Sequence, residues 1–217
     1  MDIPKDWTFR TASVANGFDQ HVREQLPWYD LMSGAVSHIA RHYLPDDGVG
    51  YDLGCSTGNI GRCLEETIKS RNVEWLPVDS SEAMRNVYRG PGNFISADFA
   101  AMDFKPFDVA VAFLSFMFLT YEKRMKAFNL LRKRCKRGGA IIVVDKMQGI
   151  GGYLGTVLAR LTIAGKMASG ISSDQILAKE LSLGGSQRPL AESEIMPATK
   201  VFQFGEFAGW VIERSVK

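Results

Sequence analysis

Gly50-Tyr51-Asp52-Leu53-Gly54-Cys55-Ser56-Thr57-Gly58-Asn59-Ile60-Gly61 reads as the end of a β-strand, a turn carrying glycines, and the start of a helix. The apolar run over 49–53 supplies the strand, and Asp52 places a carboxylate near its C-terminal end. Gly54 and Gly58 permit backbone angles closed to other residues and let a ligand approach the main chain. The helix start behind them offers unpaired N–H groups. Together these features have the geometry of a nucleotide site.

Outward from this stretch, short apolar runs alternate with longer amphipathic ones, the pattern of βαβ units and a parallel sheet. The runs at 49–53, 73–78, 94–96, 109–114 and 141–144 are the expected strands. The last two are continuously apolar, as for strands covered on both faces. Helices are expected over 29–43, 59–68, 81–87, 121–135 and 173–181. In the first of these, Leu31, Ala35, Ile39 and Tyr43 form an i, i+4 stripe expected to pack on the sheet. Residues 200–204 and 207–214 alternate apolar and polar side chains around Gly205-Glu206, which predicts a closing antiparallel pair. The fold class is therefore α/β: a Rossmann-like class I methyltransferase fold with a mostly parallel seven-stranded sheet and a C-terminal antiparallel hairpin. One domain is expected over 1–217, with an N-terminal lid and helix in 1–45 and a sheet core in 46–217 that carries a cap segment, 149–190.

Bulk composition narrows the function classes. The 217 residues are 46% hydrophobic and 23% charged with a net charge of +2, ordinary values for a globular protein. Cys55, Cys63 and Cys135 lack any metal-binding or paired spacing, so no metal site and no disulfide framework is expected, and a cytoplasmic location fits. The first ten residues carry charge and proline where a secretory signal needs an apolar stretch, and no apolar run reaches membrane-spanning length.

Two further acidic strand ends extend the site. Asp79, in Leu76-Pro77-Val78-Asp79-Ser80-Ser81-Glu82-Ala83-Met84, can accept hydrogen bonds from both hydroxyls of a ribose. Its alternative role is a helix cap, with Ser80 or Ser81 sharing that work. Asp98-Phe99 follows the third strand and offers a carboxylate and an aromatic ring to an adenine, or is a plain surface turn. Ser56, Gly58 and Gly61 imitate a dinucleotide fingerprint with its first glycine replaced. Asp52 would then set a negative charge beside a pyrophosphate, whereas the methionyl ammonium of S-adenosylmethionine is favoured there. The phosphate-cradling GxxxxGK[ST] loop is absent.

Phe18-Asp19-Gln20-His21-Val22-Arg23-Glu24, Pro27-Trp28-Tyr29, Tyr51–Ser56, Asp79-Ser80 and Asp145-Lys146 together resemble the bacterial carboxy-S-adenosylmethionine synthase family, within the class I methyltransferases. The resemblance runs from about Phe18 to the C-terminus. It is compressed between Phe18 and Tyr29, and the helix expected before the closing hairpin is missing, since Ile195-Met196-Pro197 runs almost directly into Lys200. The family implies Tyr29 near the methionyl part, Gly54 and Ser56 at the first motif, Asp79 and Ser80 at the ribose, and Asp98 and Phe99 at adenine; Asp52, Cys55, Gly58, Met84 and Phe113 complete the candidate cofactor-binding set. The family further implies a homodimer, no metal, and work on the cofactor used in tRNA wobble-uridine modification.

Two departures bear on the reaction. Lys179-Glu180 stands where the family has Lys-Arg, the Arg binding the extra carboxylate of the modified cofactor, and Phe113 stands where it has Asn. Glu180 there predicts repulsion of a carboxylate and a role toward a cationic ligand or an acceptor proton, unless it points to solvent. Arg188 is a substitute cation that nothing in the sequence places. The leading expectation is a methyltransferase using S-adenosylmethionine, yielding S-adenosylhomocysteine, on a small-molecule acceptor, with Tyr29 and Glu180 nearest the chemistry. The alternatives are a cofactor-modifying synthase and a non-catalytic binding protein.

Other signals are weaker. Arg132–Arg137 is a basic run that suits phosphate contact or a helix C-terminus, so a nucleic acid partner is not favoured. No DNA amino-methylating tetrad follows strand four, and no Pro-Cys nucleophile is present. Residues 149–170 are apolar and glycine-rich, suiting a pocket cap, a dimer contact or a plain core helix with Leu154, Leu158 and Leu161 inward. His21, His38 and His42 are expected on the surface or in packing.

Overall fold

The computed structural model describes residue 5 and residues 7–215. Its centre is a seven-stranded sheet in the order β3-β2-β1-β4-β5-β7-β6. The strands are β1 (Val49–Leu53), β2 (Glu74–Asp79), β3 (Ile95–Ser96), β4 (Phe107–Phe113), β5 (Cys135–Lys146), β6 (Thr199–Phe204) and β7 (Phe207–Glu213). β1 to β5 pair in parallel, and β7 runs antiparallel to both β5 and β6. The expected mostly parallel sheet with a closing hairpin is what the chain forms. Strand order reverses at β1, between β2 and β4, the place where an open α/β sheet leaves a crevice at its C-terminal edge.

Alternation along the strands builds a core on each face. Tyr51 and Leu53 of β1, Ala110 and Ala112 of β4 and Ile141 and Val143 of β5 pack with Phe128 and Leu131 on one side. Val109 and Val111, with Ile142 and Val144, pack on the other against Ile60, Leu64 and the helix α3, Tyr29–Arg41. The helix bearing Phe128, α7, spans Tyr121–Arg134.

Several expectations are corrected. The stripe in α3 is rotated: Leu31 is 78% exposed, and the buried face is Met32, Ser33, Val36, Ser37 and Ala40. The serines tolerate burial because Ser33 Oγ donates to the Tyr29 carbonyl and Ser37 Oγ to the Ser33 carbonyl, each at 2.8 Å. The helix expected over 59–68 is two short ones, α4 (Asn59–Cys63) and α5 (Glu65–Ser70), hinged at buried Leu64. β5 begins at Cys135 and takes in half of the basic run, with a register jump between Phe107↔Cys135 and Val109↔Ala140. Lys136 there pairs with Asp108 at 2.8 Å, and Arg132 donates to the Ile195 and Met196 carbonyls, so part of the run is structural. The missing helix before the hairpin is present as one turn, Glu192–Ile195.

Residues 152–168 do form a helix, α8 (Gly152–Ala168), but not a core one: Tyr153, Leu154, Val157, Leu161, Ile163 and Met167 are exposed, and its one buried residue is Lys166. α9 (Ser173–Ser182) follows, capped by Ser172. Ahead of the sheet lie α1 (Ala12–Asn16) and α2 (Phe18–Gln25), which with the chain from Trp7 fold across the C-terminal edge of the strands. Among the described residues no helix is long and apolar enough to cross a membrane.

Candidate functional site: a cleft over the sheet's C-terminal edge

A cavity of about 530 Å³ opens at the switch point, within the size range of small-molecule sites. Its floor is the first turn of the glycine motif. Gly54 has φ +76°, and a Cβ there would meet Ser115 Cβ at 2.6 Å, so no other residue fits. Ser56 and Leu114, on the cavity wall, hold φ of +50° and +59° without being glycines. Gly58 does not line the cavity. Its φ of +88° and the Gly90 amide 2.7 Å from a notional Cβ show that it is there for loop packing, which corrects the expectation of ligand contact.

Asp52 is 2% exposed, and its Oδ2 has no hydrogen-bond partner among the described residues. Burial, with the nearby Asp79 charge, pushes its carboxyl up to about 7, partly relieved by the Gly61 amide. An ammonium placed against it would hold it ionised. Asp79 accepts from the Ser56 amide through Oδ2 and the Ser81 amide through Oδ1, both at 2.9 Å, leaving each oxygen a free lone pair. The cap on the next helix, α6 (Glu82–Val87), is Ser81, which accepts from the Met84 amide. Asp79 is therefore free of capping work. Ser80 and Met84 line the cavity beside it, and Ser56 Oγ rests on Met84 Sδ at 3.3 Å.

Asp98 and Phe99 close the far end. Burial raises the Asp98 carboxyl, but the hydrogen bond and charge of Lys123, at 2.8 Å, outweigh it and hold it below its usual range. Tyr29 and Phe113 meet edge to face at 5.3 Å, with the Tyr29 hydroxyl pushed far up by burial. Cys55 is buried in the same wall and its thiol is likewise pushed up by burial and the two aspartates, so it is inert packing.

Glu180 is where the expectation changes most. It lines the cavity, but its carboxylate pairs with Lys166 at 2.7 Å and Lys146 at 3.8 Å. Burial raises it, yet these partners win and hold it below the usual carboxylate range. A lone repelling charge is not what this wall presents, because three lysines surround one glutamate. Arg188 also reaches the cavity, with its amide donating to the Met117 carbonyl at 2.7 Å.

Sequence reasoning gave no structural role to several residues in and behind this wall. Asp145 is fully buried, accepts from the Met117 and Lys146 amides, and so pins the 3₁₀ turn Phe116–Phe118 to β5; burial pushes it up to about 7. His21 and Lys179, which fall within the stretches compared with the family but were given no site role, and Gln25, outside them, are buried cavity residues. For Lys179 a signal existed: it continues the buried stripe of Ile176 in α9 and Leu183 just beyond its end, an apolar-face position occupied by a lysine. Among the described residues no cluster suited to a metal ion occurs.

The strand order and the three acidic strand ends around one cleft are those of the Rossmann-like fold of class I S-adenosylmethionine-dependent methyltransferases, and residues 51–139 match the family model described as a methyltransferase domain. Within that class the chain is similar to the carboxy-S-adenosyl-L-methionine synthase of Staphylococcus epidermidis, with 26% identity over 86% of this chain and 84% of that one. Among solved structures it resembles magnesium protoporphyrin IX methyltransferase from Synechocystis with bound SAH (TM-score 0.58, 14% identity, 95% and 97% of the two chains). It also resembles an O-methyltransferase family protein from Burkholderia thailandensis (TM-score 0.65, 11% identity, 93% of this chain and 59% of that chain). At these identities the two structures speak for the fold.

Proposed function

We propose that this chain is an S-adenosylmethionine-dependent methyltransferase acting on a small-molecule acceptor in the cytoplasm. The observation that carries it is the buried, unpartnered Asp52 Oδ2 at the strand end, one wall away from the doubly anchored Asp79 carboxylate. An ammonium satisfies the first and a ribose diol the second, and the separation of roles along one cleft fits that cofactor. Bound S-adenosylmethionine supplies an electrophilic methyl group. Asp52 holds the ammonium, Asp79 with Ser80 orients the ribose, and Asp98 and Phe99 face the adenine. Tyr29 and Phe113 form an apolar collar that excludes water around the transferred group. The segment 7–25 is the lid: Trp7 donates its amide to the Ser182 carbonyl, and Asp19 accepts from the Thr57 hydroxyl at 2.5 Å beside the glycine turn. Calorimetric titration with S-adenosylhomocysteine tests this reading, and absence of binding to the folded protein defeats it.

A second reading, a carboxylated cofactor, is favoured by the similarity to the synthases and by the lysines that offset Glu180. Competition between S-adenosylmethionine and its carboxylated form separates the two. The exposed apolar face of α8 supports a homodimer, to be checked by analytical ultracentrifugation of wild type against Leu154→Glu.

A further inference from the structure

Four of the seven buried side-chain polar atoms that lack a hydrogen-bond partner among the described residues belong to the main cavity: Asp52 Oδ2, Ser115 Oγ, His21 Nε2 and Gln25 Oε1. Native proteins leave few such atoms, and a group of them around one cavity marks where a ligand completes the bonding. Asp52 and Ser115 sit beside Gly54 at the cofactor motif. His21 and Gln25 do not. They lie one helical turn apart on α2, 5% and 8% exposed, against the wall contributed by α9.

Lys179 completes that wall. It is 7% exposed and makes no hydrogen bond or ion pair with the described residues, unlike neighbouring Lys166, which Glu180 neutralises. Its Nζ rests over the Trp7 ring, which stacks on the His21 imidazole with centroids 5.1 Å apart. The groups facing it are Lys166 of α8, Glu180 of its own helix and His21 of α2, with Glu24 and Lys146 farther along the same wall. Burial first, then Lys166, brings the Lys179 amine down to about 6 against a smaller opposing pull from Glu180. Burial first, then Lys179, likewise lowers His21 to about 4. Both are neutral at pH 7, so this end of the cavity offers an amine lone pair between aromatic rings.

Resting on the methyltransferase reading, we propose that His21, Gln25 and Lys179 form the acceptor subsite, that it takes a phenolic hydroxyl, and that Lys179 removes the hydroxyl proton during transfer. The aromatic walls, Trp7, Phe9, Phe18, Phe113 and Phe118, fit a planar ring. An oxygen lone pair of the phenol forms the new C–O bond to the sulfonium methyl as the C–S bond breaks and its electron pair returns to sulfur. The O–H proton passes to Lys179 Nζ. The positive charge lost at sulfur thus reappears on the ammonium, which the Trp7 face accommodates, before release to water.

The experiment is a pH titration of protein labelled with ¹³Cε-lysine and saturated with S-adenosylhomocysteine, with Lys179→Met to assign the signal. The probes are catechol and benzoate, and methyl ether formation is measured with S-adenosylmethionine and catechol. Expected are one lysine resonance titrating near pH 6, absent from the variant; its perturbation by catechol; and a rate whose acid limb lies at the same pH. Lys179→Met should transfer methyl roughly 100-fold more slowly, without that limb, while binding S-adenosylhomocysteine as wild type does. A Lys179 signal titrating above about pH 9, near the ordinary lysine value, or an unchanged variant rate overturns the proposal alone. So does benzoate binding in preference to catechol, which marks an anion site, or the absence of any methyl ether. Failure of S-adenosylhomocysteine to bind overturns the methyltransferase reading, and the subsite with it.

Discussion

The two ends of the cleft are built differently. At the cofactor end, Asp52, Gly54, Ser56 and Asp79 come from consecutive βα units, and most of their polar atoms are bonded to nearby backbone: Asp79 to the Ser56 and Ser81 amides, Gly54 N to the Val78 carbonyl. At the acceptor end, Trp7, His21, Gln25, Lys166, Lys179 and Arg188 come from four separate segments, with His21 Nε2 and Gln25 Oε1 unpartnered among the described residues. A site for a common ligand is held by local loops attached to strand ends. A site for a particular acceptor is assembled from long-range contacts, and its unmet bonds are the record of what it awaits.

The contrast can be broken most severely through Arg124. Its guanidinium is 3% exposed, pairs with Glu194 at 3.1 Å, and donates to the Arg188 and Pro189 carbonyls, so it anchors the loop at the acceptor end. Arg124→Met strands a buried carboxylate and should cost about 3–5 kcal/mol in urea unfolding. A loss below about 1 kcal/mol would show that the loop does not depend on this pair.

At the opposite end, Asp79→Ala should weaken S-adenosylhomocysteine binding by roughly ten- to hundredfold, the worth of two hydrogen bonds to a charged group, and lower stability by about 1–3 kcal/mol because the Ser56 and Ser81 amides lose their acceptor. Unchanged calorimetric affinity in the folded variant removes Asp79 from the site.

Gly58→Ala separates packing from binding within one motif. It forces a side chain into a left-handed position against the Gly90 amide and should lower stability by about 1–2 kcal/mol. Affinity corrected for that loss should hold; a specific affinity drop would restore Gly58 to the ligand site.

Asp52→Asn is the mildest for the empty protein. Because burial raises its folded carboxyl to about 7, the stability tied to its proton is fully present below about pH 4 and lost as pH rises through about 7. The variant should flatten that part of the decline of Tm between those values, Asp145 supplying a remainder of the same sign, while cofactor affinity falls. A Tm profile parallel to wild type would mean that Asp52 is already ionised without ligand.

The acidic strand ends and the glycine turn were legible because each is a local signature: a strand must end, a tight turn needs φ above zero, and the next helix must start. Sheet class followed from the continuously apolar runs at 109–114 and 141–144, and the hairpin from the alternation in 200–204 and 207–214. The face of α3 was not legible, since Ser33 and Ser37 looked polar until their hydroxyls were seen returning to the helix carbonyls. Nor was the state of Glu180. A reversed charge in sequence says nothing of the two lysines, 14 and 34 positions away, that neutralise it. Lys179 lies between the cases, for its place on an apolar stripe is sequence, while its lowered basicity depends on burial and on Lys166, supplied by chain remote from it. Local backbone geometry is encoded within a few residues and can be read there. Dielectric, counter-charge and unmet hydrogen bonds are properties of the packed interior, and only the tertiary structure decides them.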